Sequence, residues 1–339
     1  MRRVPLILDC DPGHDDAFAI LVAAHRAELI AVTAVTGNAP LERTYRNALI
    51  TLQIAGVDVP VHLGAARPLV GEARHAPYIH GESGLDGPEL PPLTREPSAV
   101  PAVDAILEAA AAVAGLWLVA VGPLTNVAQA LQREPALAQR LAGISVMGGS
   151  YGPGNRTPAA EFNIWADPEA AQVVFASGAN VVMAGLDLTH QFVIGPERVE
   201  RIRAVGGPAA AFAGGLLDFF ALAYARYFGA AEGGPLHDPC AVLAVTDPHL
   251  FESTMRHVAI ETGGELTRGM TVVDRRQGAG SLRGAPPNVQ VLETIDDVAA
   301  FELLVAAVKG PWHTPAPGGA PGKLRSGRPA GRPGGGAAA

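Results

Sequence analysis

The chain alternates short, nearly continuous apolar runs with Ala-rich segments whose apolar residues recur at helical spacing. Strands are predicted at Val4–Leu8, Leu29–Val35, Leu116–Val121, Ile144–Met147 and Val181–Ala184, and helices near Asp15–Ala24, Leu41–Ile54, Ala99–Ala112, Asn126–Leu131 and Pro168–Ser177. Strands that are apolar throughout and separated by helices imply a mostly parallel sheet covered on both faces, an open α/β architecture of Rossmann-like type. Its crossovers are right-handed, and its site belongs outside the carboxyl ends of the strands. From about Gly195 the pattern changes. Helices near Ala209–Phe228 and Asp238–Ala244 precede the strand-like HVAIET, TVVD and VQVLE, which read as a small helical and antiparallel addition; a last helix is predicted at Ile295–Val308. Residues 1–310 are expected to form a single domain. The segment 311–339 is rich in Pro, Gly and Ala, with four basic residues and no acidic ones, and it has too little to bury to offset its ordering entropy. It is expected to be a disordered tail.

Composition narrows the function classes. In 339 residues, 48 % are hydrophobic but only 5 % aromatic, as Ala/Val/Leu-packed strands and helices require. The net charge of -8 leaves no cationic footprint for a nucleic-acid polymer. Two cysteines, Cys10 and Cys240, make no disulfide framework in a chain of this length and read as buried thiols. The apolar run before Asp9 is too short for a signal peptide, and no stretch reaches the roughly 18 apolar residues of a membrane span. A cytoplasmic protein with no membrane partner is expected.

The candidate chemistry lies in LILDCDPGHDDAFAILVA, where Asp9, Asp11, Asp15 and Asp16 fall within eight residues at a strand-to-helix transition. Their mutual repulsion would raise their pKa values or destabilise the loop, and a hard divalent cation with oxygen ligands is the simplest remedy. Acidic residues at a helix N-terminus explain one or two of the four. They do not explain Asp9 and Asp11 as well. A DxD at a strand end also suits enzymes that form an aspartyl-phosphate, but that pattern wants Thr or Val just downstream, and here Pro12-Gly13-His14-Asp15 follows.

DCDPGHDDA resembles the signature of the inosine-uridine preferring nucleoside hydrolases. Further segments match in order: TGN at Thr36–Asn38, IHGESGLDG at Ile79–Gly87, VGPLTNVA at Val121–Ala128, MGG at Met147–Gly149, GNRTPAAEFNIWADPEAA at Gly154–Ala171 and HDP at His237–Pro239. The resemblance implies hydrolysis of the N-ribosidic bond of a small-molecule nucleoside, a tightly held Ca²⁺, and a homodimer or homotetramer. By the same resemblance Asp11 is metal ligand and general base, Asp16 and Asp238 are metal ligands, and Val121 gives its backbone carbonyl. Asp15, Asn38 and Asn163 match ribose contacts, while Asn155 and Glu161 match residues near the 5'-hydroxyl. Met147 and Phe162 fall among the substrate-binding positions. His80 lies beside the base, and His237 matches the proton donor to the leaving base.

Residue chemistry agrees in part. Three carboxylates and a carbonyl leave room in a shell of six to eight oxygens for water and two hydroxyls. If Glu161-Phe162-Asn163 is extended, Glu161 and Asn163 share one side and Phe162 faces away or braces the loop. His14 stands where the family usually has an apolar residue and is given no role. Tyr224 and Tyr227, in the aromatic segment Phe219–Phe228, are expected near the pocket without an assigned role. The preferred base, purine or pyrimidine, stays open at this level. So do hydrolysis of another ribosyl compound and Ca²⁺-dependent binding of a nucleoside or ribose without turnover.

Overall fold

A computed structural model describes residues 3–230, 232–276 and 285–312. Its strands are β1 (Pro5–Cys10), β2 (Glu28–Ala34), β3 (Val61–Leu63), β4 (Trp117–Ala120), β5 (Gly143–Met147), β6 (Val181–Ala184), β7 (Val193–Ile194), β8 (Gly234–Pro235), β9 (Phe251–Arg256), β10 (Val258–Ile260), β11 (Thr271–Val273) and β12 (Val289–Ile295). Eight of them form one sheet in the order β3-β2-β1-β4-β5-β6-β12-β9, parallel except for the antiparallel edge strand β9. The chain leaves β1 outward through β2 and β3, then returns to add β4 on the other side. That reversal puts a topological switch point between β1 and β4, where a crevice opens at the carboxyl ends.

The apolar strands are buried because both faces are covered. Leu6 and Leu8 of β1 point into one core layer, with Phe18, Phe192, Phe220 and Phe301; Ile7 points into the other, with Leu118, Ile144 and Met183. The helix His14–Arg26, entered through Pro12-Gly13, is buried from His14 to Ala24 and packs against the helices Asp238–Thr246 and Asp297–Lys309. The two carboxylate-bearing N-termini, at Asp15-Asp16 and at Asp238, thereby come together at one end of the sheet.

The predicted elements of the first 190 residues are present with shifted ends. The helix predicted from Ala99 starts at Ala102, because Pro101 bars helical geometry for the residue before it. The antiparallel C-terminal addition is present, with one segment placed elsewhere. HVAIET and TVVD supply β10 and β11, a separate antiparallel ribbon, whereas VQVLE belongs to β12, a strand of the main sheet parallel to β6; β7 and β8 make a second short antiparallel ribbon. β9 was not predicted; FESTMR is a half-exposed edge strand without a continuous apolar face.

The helix Gly207–Phe228 is also long and apolar enough, by length and composition, to cross a membrane, counter to the sequence reading. It packs within the protein, with Phe212, Leu216, Leu217 and Phe220 buried and 56 % of its most apolar window inside the fold. At the end of the last described segment, Trp312 donates from Nε1 to the Ala307 carbonyl (2.8 Å) and His25 donates to that of Pro311 (3.0 Å). The remainder of the expected tail, 313–339, lies outside the described residues.

Asp167 ties three segments together beneath the site. One oxygen caps the helix Pro168–Phe175 by accepting from the Ala170 amide (3.0 Å); the other accepts from the Leu69 amide (2.8 Å) and the Thr125 hydroxyl (2.7 Å). Asp167→Ala removes a cap worth about 1 kcal/mol and strands two further donors, so a loss of about 2–4 kcal/mol is expected in urea unfolding. A change below about 0.5 kcal/mol would mean that water replaces the carboxylate at no cost.

Candidate active site

The crevice at the switch point holds a cavity of about 60 Å³. Asp15, Asn38, His80, Val121, Met147, Asn155, Glu161, Phe162, Asn163, His237 and Asp238 line it, so every sequence-predicted site residue reaches it except Asp11 and Asp16. Those two lie fully buried and are joined to the wall through Asn38 and Asp238.

Short-range backbone geometry builds the acidic end. The Asp16 carboxylate accepts from the amides of Asp11 (3.1 Å) and Gly13 (2.9 Å), folding the turn back on itself. The Asn38 amide donates to Asp11 Oδ2 at 2.6 Å, and the Asn38 side chain donates to the Asp11 carbonyl (3.3 Å) and to Asp16 Oδ2 (3.1 Å). Gly37 and Gly122 press against Asp11 so closely that a Cβ on either would overlap its carboxylate, which gives the TGN and VGP glycines a physical cause. Asp9 points elsewhere: its Oδ1 accepts from Thr33 and from Asn126 (2.7 Å), tying β1 to β2 and to the helix Thr125–Arg133.

Among the described residues, no Lys or Arg pairs with the carboxylates at this end. Asp11 Oδ1 is buried without any hydrogen-bond partner. Asp15, Asp16 and Asp238 each bring an oxygen within 4.8 Å of the others. Asp16 and Asp238 face each other closely enough that both cannot stay ionised there without a positive charge or a proton beside them. Burial, then the neighbouring charges, pushes the carboxyls of Asp11 and Asp238 well above the usual range and that of Asp15 to about 8. An orphaned buried oxygen beside three converging carboxyls fits a hard divalent cation. The Val121 carbonyl, one residue past β4, has no sheet partner; it accepts from Asn163 Nδ2 at 2.8 Å and keeps a second lone pair.

The sugar-facing wall differs from the sequence reading. Glu161-Phe162-Asn163 is not extended: a helix begins at Phe162, with Glu161 as its N-cap. The Glu161 carboxylate accepts from the amides of Asn163 (2.8 Å), Ile164 (3.1 Å) and Gly149 (3.0 Å), so two donors in its own turn and a third from the loop after β5 override the strand-like alternation. All three side chains line the cavity, Phe162 included. Burial pushes the Glu161 carboxyl up to about 7. Asn155 Oδ1 accepts from the Phe162 amide (2.9 Å), which leaves its NH2 group toward the cavity.

The far wall is aromatic. His237 is engaged at both ring nitrogens, with the Thr189 hydroxyl 2.7 Å from Nδ1 and the Tyr224 hydroxyl 2.6 Å from Nε2. Burial lowers the His237 pKa to about 3, so the ring is neutral near neutral pH. Tyr227 does not line the cavity; it is exposed and meets Tyr78 edge-on at 5.5 Å. His14 is not idle. Its Nε2 donates to the Asp86 carbonyl (2.8 Å), its ring stacks on Phe219, and its amide donates to His80 Nδ1 (3.2 Å). The Nδ1 atoms of His14 and His80 also stand 3.2 Å apart, so the two rings meet directly. Thr189 escaped the sequence reading altogether, since a Thr at the end of a short helix carries no signal of its own.

A buried cluster of carboxyls, amide-bearing side chains on one wall and an aromatic-imidazole wall opposite define a metal-assisted hydrolase acting on a small polyhydroxylated substrate. The inosine-uridine preferring nucleoside hydrolase family profile matches residues 6–302. The chain is 46 % identical over 305 residues to the pyrimidine-specific ribonucleoside hydrolase RihA of Enterobacter sp. (strain 638), covering 89 % of this chain and 96 % of that one. It is 45 % identical over 310 residues to RihA of Escherichia coli (strain K12), with coverage of 90 % and 98 %. Among solved structures, the purine-preferring ribonucleoside hydrolase from Gardnerella vaginalis superposes with a TM-score of 0.84 at 31 % identity, covering 90 % of this chain and 98 % of that one. The chain belongs to the inosine-uridine preferring nucleoside hydrolase family and is an N-glycosyl hydrolase that splits ribonucleosides into base and ribose.

The raised carboxyl pKa values carry a consequence for stability. Without a cation the folded chain holds protons that the unfolded chain releases near pH 4. That contribution is complete below the unfolded pKa and is lost as pH rises through the folded values, about 7 for Asp9 and about 8 for Asp15. The Tm of chelator-treated protein is expected to fall between about pH 5 and pH 8, and added Ca²⁺ to raise it more at the higher pH. Equal rises at both pH values would mean that the cation does not bind at these carboxyls.

Proposed function

We propose that the enzyme uses calcium and acts first on pyrimidine ribonucleosides. The buried, unpartnered Oδ1 of Asp11, next to the converging carboxyls of Asp15, Asp16 and Asp238, is the observation that carries the metal. An all-oxygen set, with no histidine or cysteine among those carboxyls, favours a hard cation. The preference for pyrimidines is supported by the two relatives at 45–46 % identity, both pyrimidine-specific, against 31 % for the purine-preferring structure. The family resemblance further supports a homodimer or homotetramer in the cytoplasm, working on free nucleosides rather than on nucleic-acid polymers or at a membrane.

Asp11, Asp16, Asp238 and the Val121 carbonyl would hold the ion. Bound calcium supplies positive charge that draws in the ribose hydroxyls and lowers the pKa of a nearby water. Asp15, Asn38 and Asn163 orient the sugar, and Asn155 and Glu161 receive its 5' end. Asp11 takes the proton of the water that adds to C1' as the C1'–N bond breaks. At the other end the departing base takes a proton from the His237–Tyr224 pair, with Thr189 fixing the imidazole and His80 standing beside the base. One water is consumed and base and ribose are formed; solvent reloads the His237–Tyr224 pair as Asp11 gives up its proton.

Base release should be measured on uridine, cytidine, inosine, adenosine and guanosine. Asp11→Asn is expected to lower kcat by at least about 10²-fold while leaving nucleoside binding largely intact. Wild-type rates in that variant would remove Asp11 from the chemistry. His237→Ala and Tyr224→Phe should slow uridine and inosine far more than a nitrophenyl riboside, whose leaving group departs without a proton. Equal losses on all three substrates would make the pair a support for the sugar or for Asp238 instead.

A further inference from the structure

We infer that the enzyme also accepts ribonucleosides whose base carries an apolar aryl or alkyl substituent, lodged in a second cavity beside the base end of the active site. The inference rests on the nucleoside hydrolase reading above and extends it to substrate class. The second cavity measures about 530 Å³, far more than the site pocket itself, and the two share Asn155, Tyr224 and Phe228 as walls. Tyr224 is the hinge between them. Its hydroxyl engages His237 at the base end, and its ring meets that of Phe228 at 5.0 Å to form the apolar side of the second cavity.

Opposite these rings stand Val193 and Pro235, paired across the two-residue ribbon of β7 and β8. His190 adds a half-wet edge, its ring 5.5 Å from that of His237. Phe228 is 45 % exposed, so a large aromatic surface stands in water beside the pocket until something covers it. Where Gly229 contributes to the wall, a Cβ would meet nothing within 4 Å.

The wall chemistry selects the occupant. Among the described lining residues there is no Lys or Arg, and Glu232 is present, so a phosphate on the 5'-carbon would meet no positive charge and one negative one. Two aromatic rings, Val193 and Pro235 suit an uncharged apolar group. Tyr224 and His190, at the hinge and the edge, both adjoin His237 at the base end, whereas of the shared walls Asn155 alone belongs to the 5' end. A substituent on the base is therefore placed to reach the cavity.

The test compares kcat/KM for N4-benzylcytidine and 5-phenyluridine with that for cytidine and uridine, in the wild type and in Val193→Trp. At least one extended substrate is expected within about tenfold of its parent in the wild type, and it should lose at least about tenfold in Val193→Trp while the parents change less than about twofold. Because Val193 is half-buried, a second measurement uses the wild type alone. The extended nucleosides should compete with a nitrophenyl riboside at least as well as their parents do. Extended substrates that are neither hydrolysed nor competitive while the parents turn over would overturn the inference. So would acceptance of a 5'-alkylthio-5'-deoxyuridine with rejection of both base-extended compounds. Failure of the parents themselves would strike the nucleoside hydrolase reading and not the cavity.

Discussion

Buried carboxylates that no Lys or Arg pairs, among the described residues, are the constraint around which this molecule is organised. The end of β1 and two helix N-termini bring Asp11, Asp15, Asp16 and Asp238 to one end of the sheet, and Asp9 lies just below them. Ionised carboxylates in such a place cost far more than marginal stability can absorb unless they are protonated or paired. The surrounding amides of Asp11, Gly13 and Asn38 offset part of that cost. One oxygen of Asp11 is left with nothing. A site in that condition is prepared for a cation rather than stabilised without one.

The same constraint explains the scaffold. A parallel sheet gives every strand a carboxyl end on the same side, and the switch point between β1 and β4 keeps a helix from filling the crevice there. Loops from four neighbouring strands then reach one small volume: Asp11 after β1, Asn38 after β2, Val121 after β4 and Met147 at the end of β5. Buttressing lies one layer out. Asp167 joins the Leu69 and Thr125 segments under the wall that carries Asn163, and Glu161 closes that wall as a helix cap. Two carboxylates outside the acidic cluster thus serve as backbone acceptors, and their burial is matched by donors where that of Asp11 is not.

Much of the fold could be read from the sequence because parallel strands buried on both faces leave an unambiguous apolar run, as at Leu6–Leu8 and Val181–Ala184. β9 and the placement of β12 could not, since an edge strand such as FESTMR has little apolar pattern and pairing partners are set by tertiary packing. At the site, the acidic motif betrayed itself through charge crowding, and the family resemblance supplied residues that spacing alone would have left as polar turns. Glu161-Phe162-Asn163 misled because alternation in three residues cannot be told from the first turn of a capped helix. His14 and Thr189 were invisible for a different reason: each acts by bonding to another histidine distant in sequence, and neither motif nor periodicity encodes such a contact.

Calorimetric titration of Ca²⁺ into chelator-treated protein at about pH 7, in two buffers of different ionisation enthalpy, tests the central claim most directly, because a cation that replaces protons on raised carboxyls must expel them. One calcium per chain, bound with net release of protons, is the predicted result. No calcium uptake, or uptake with no proton release, would contradict an acidic cluster built to be neutralised by a hard cation.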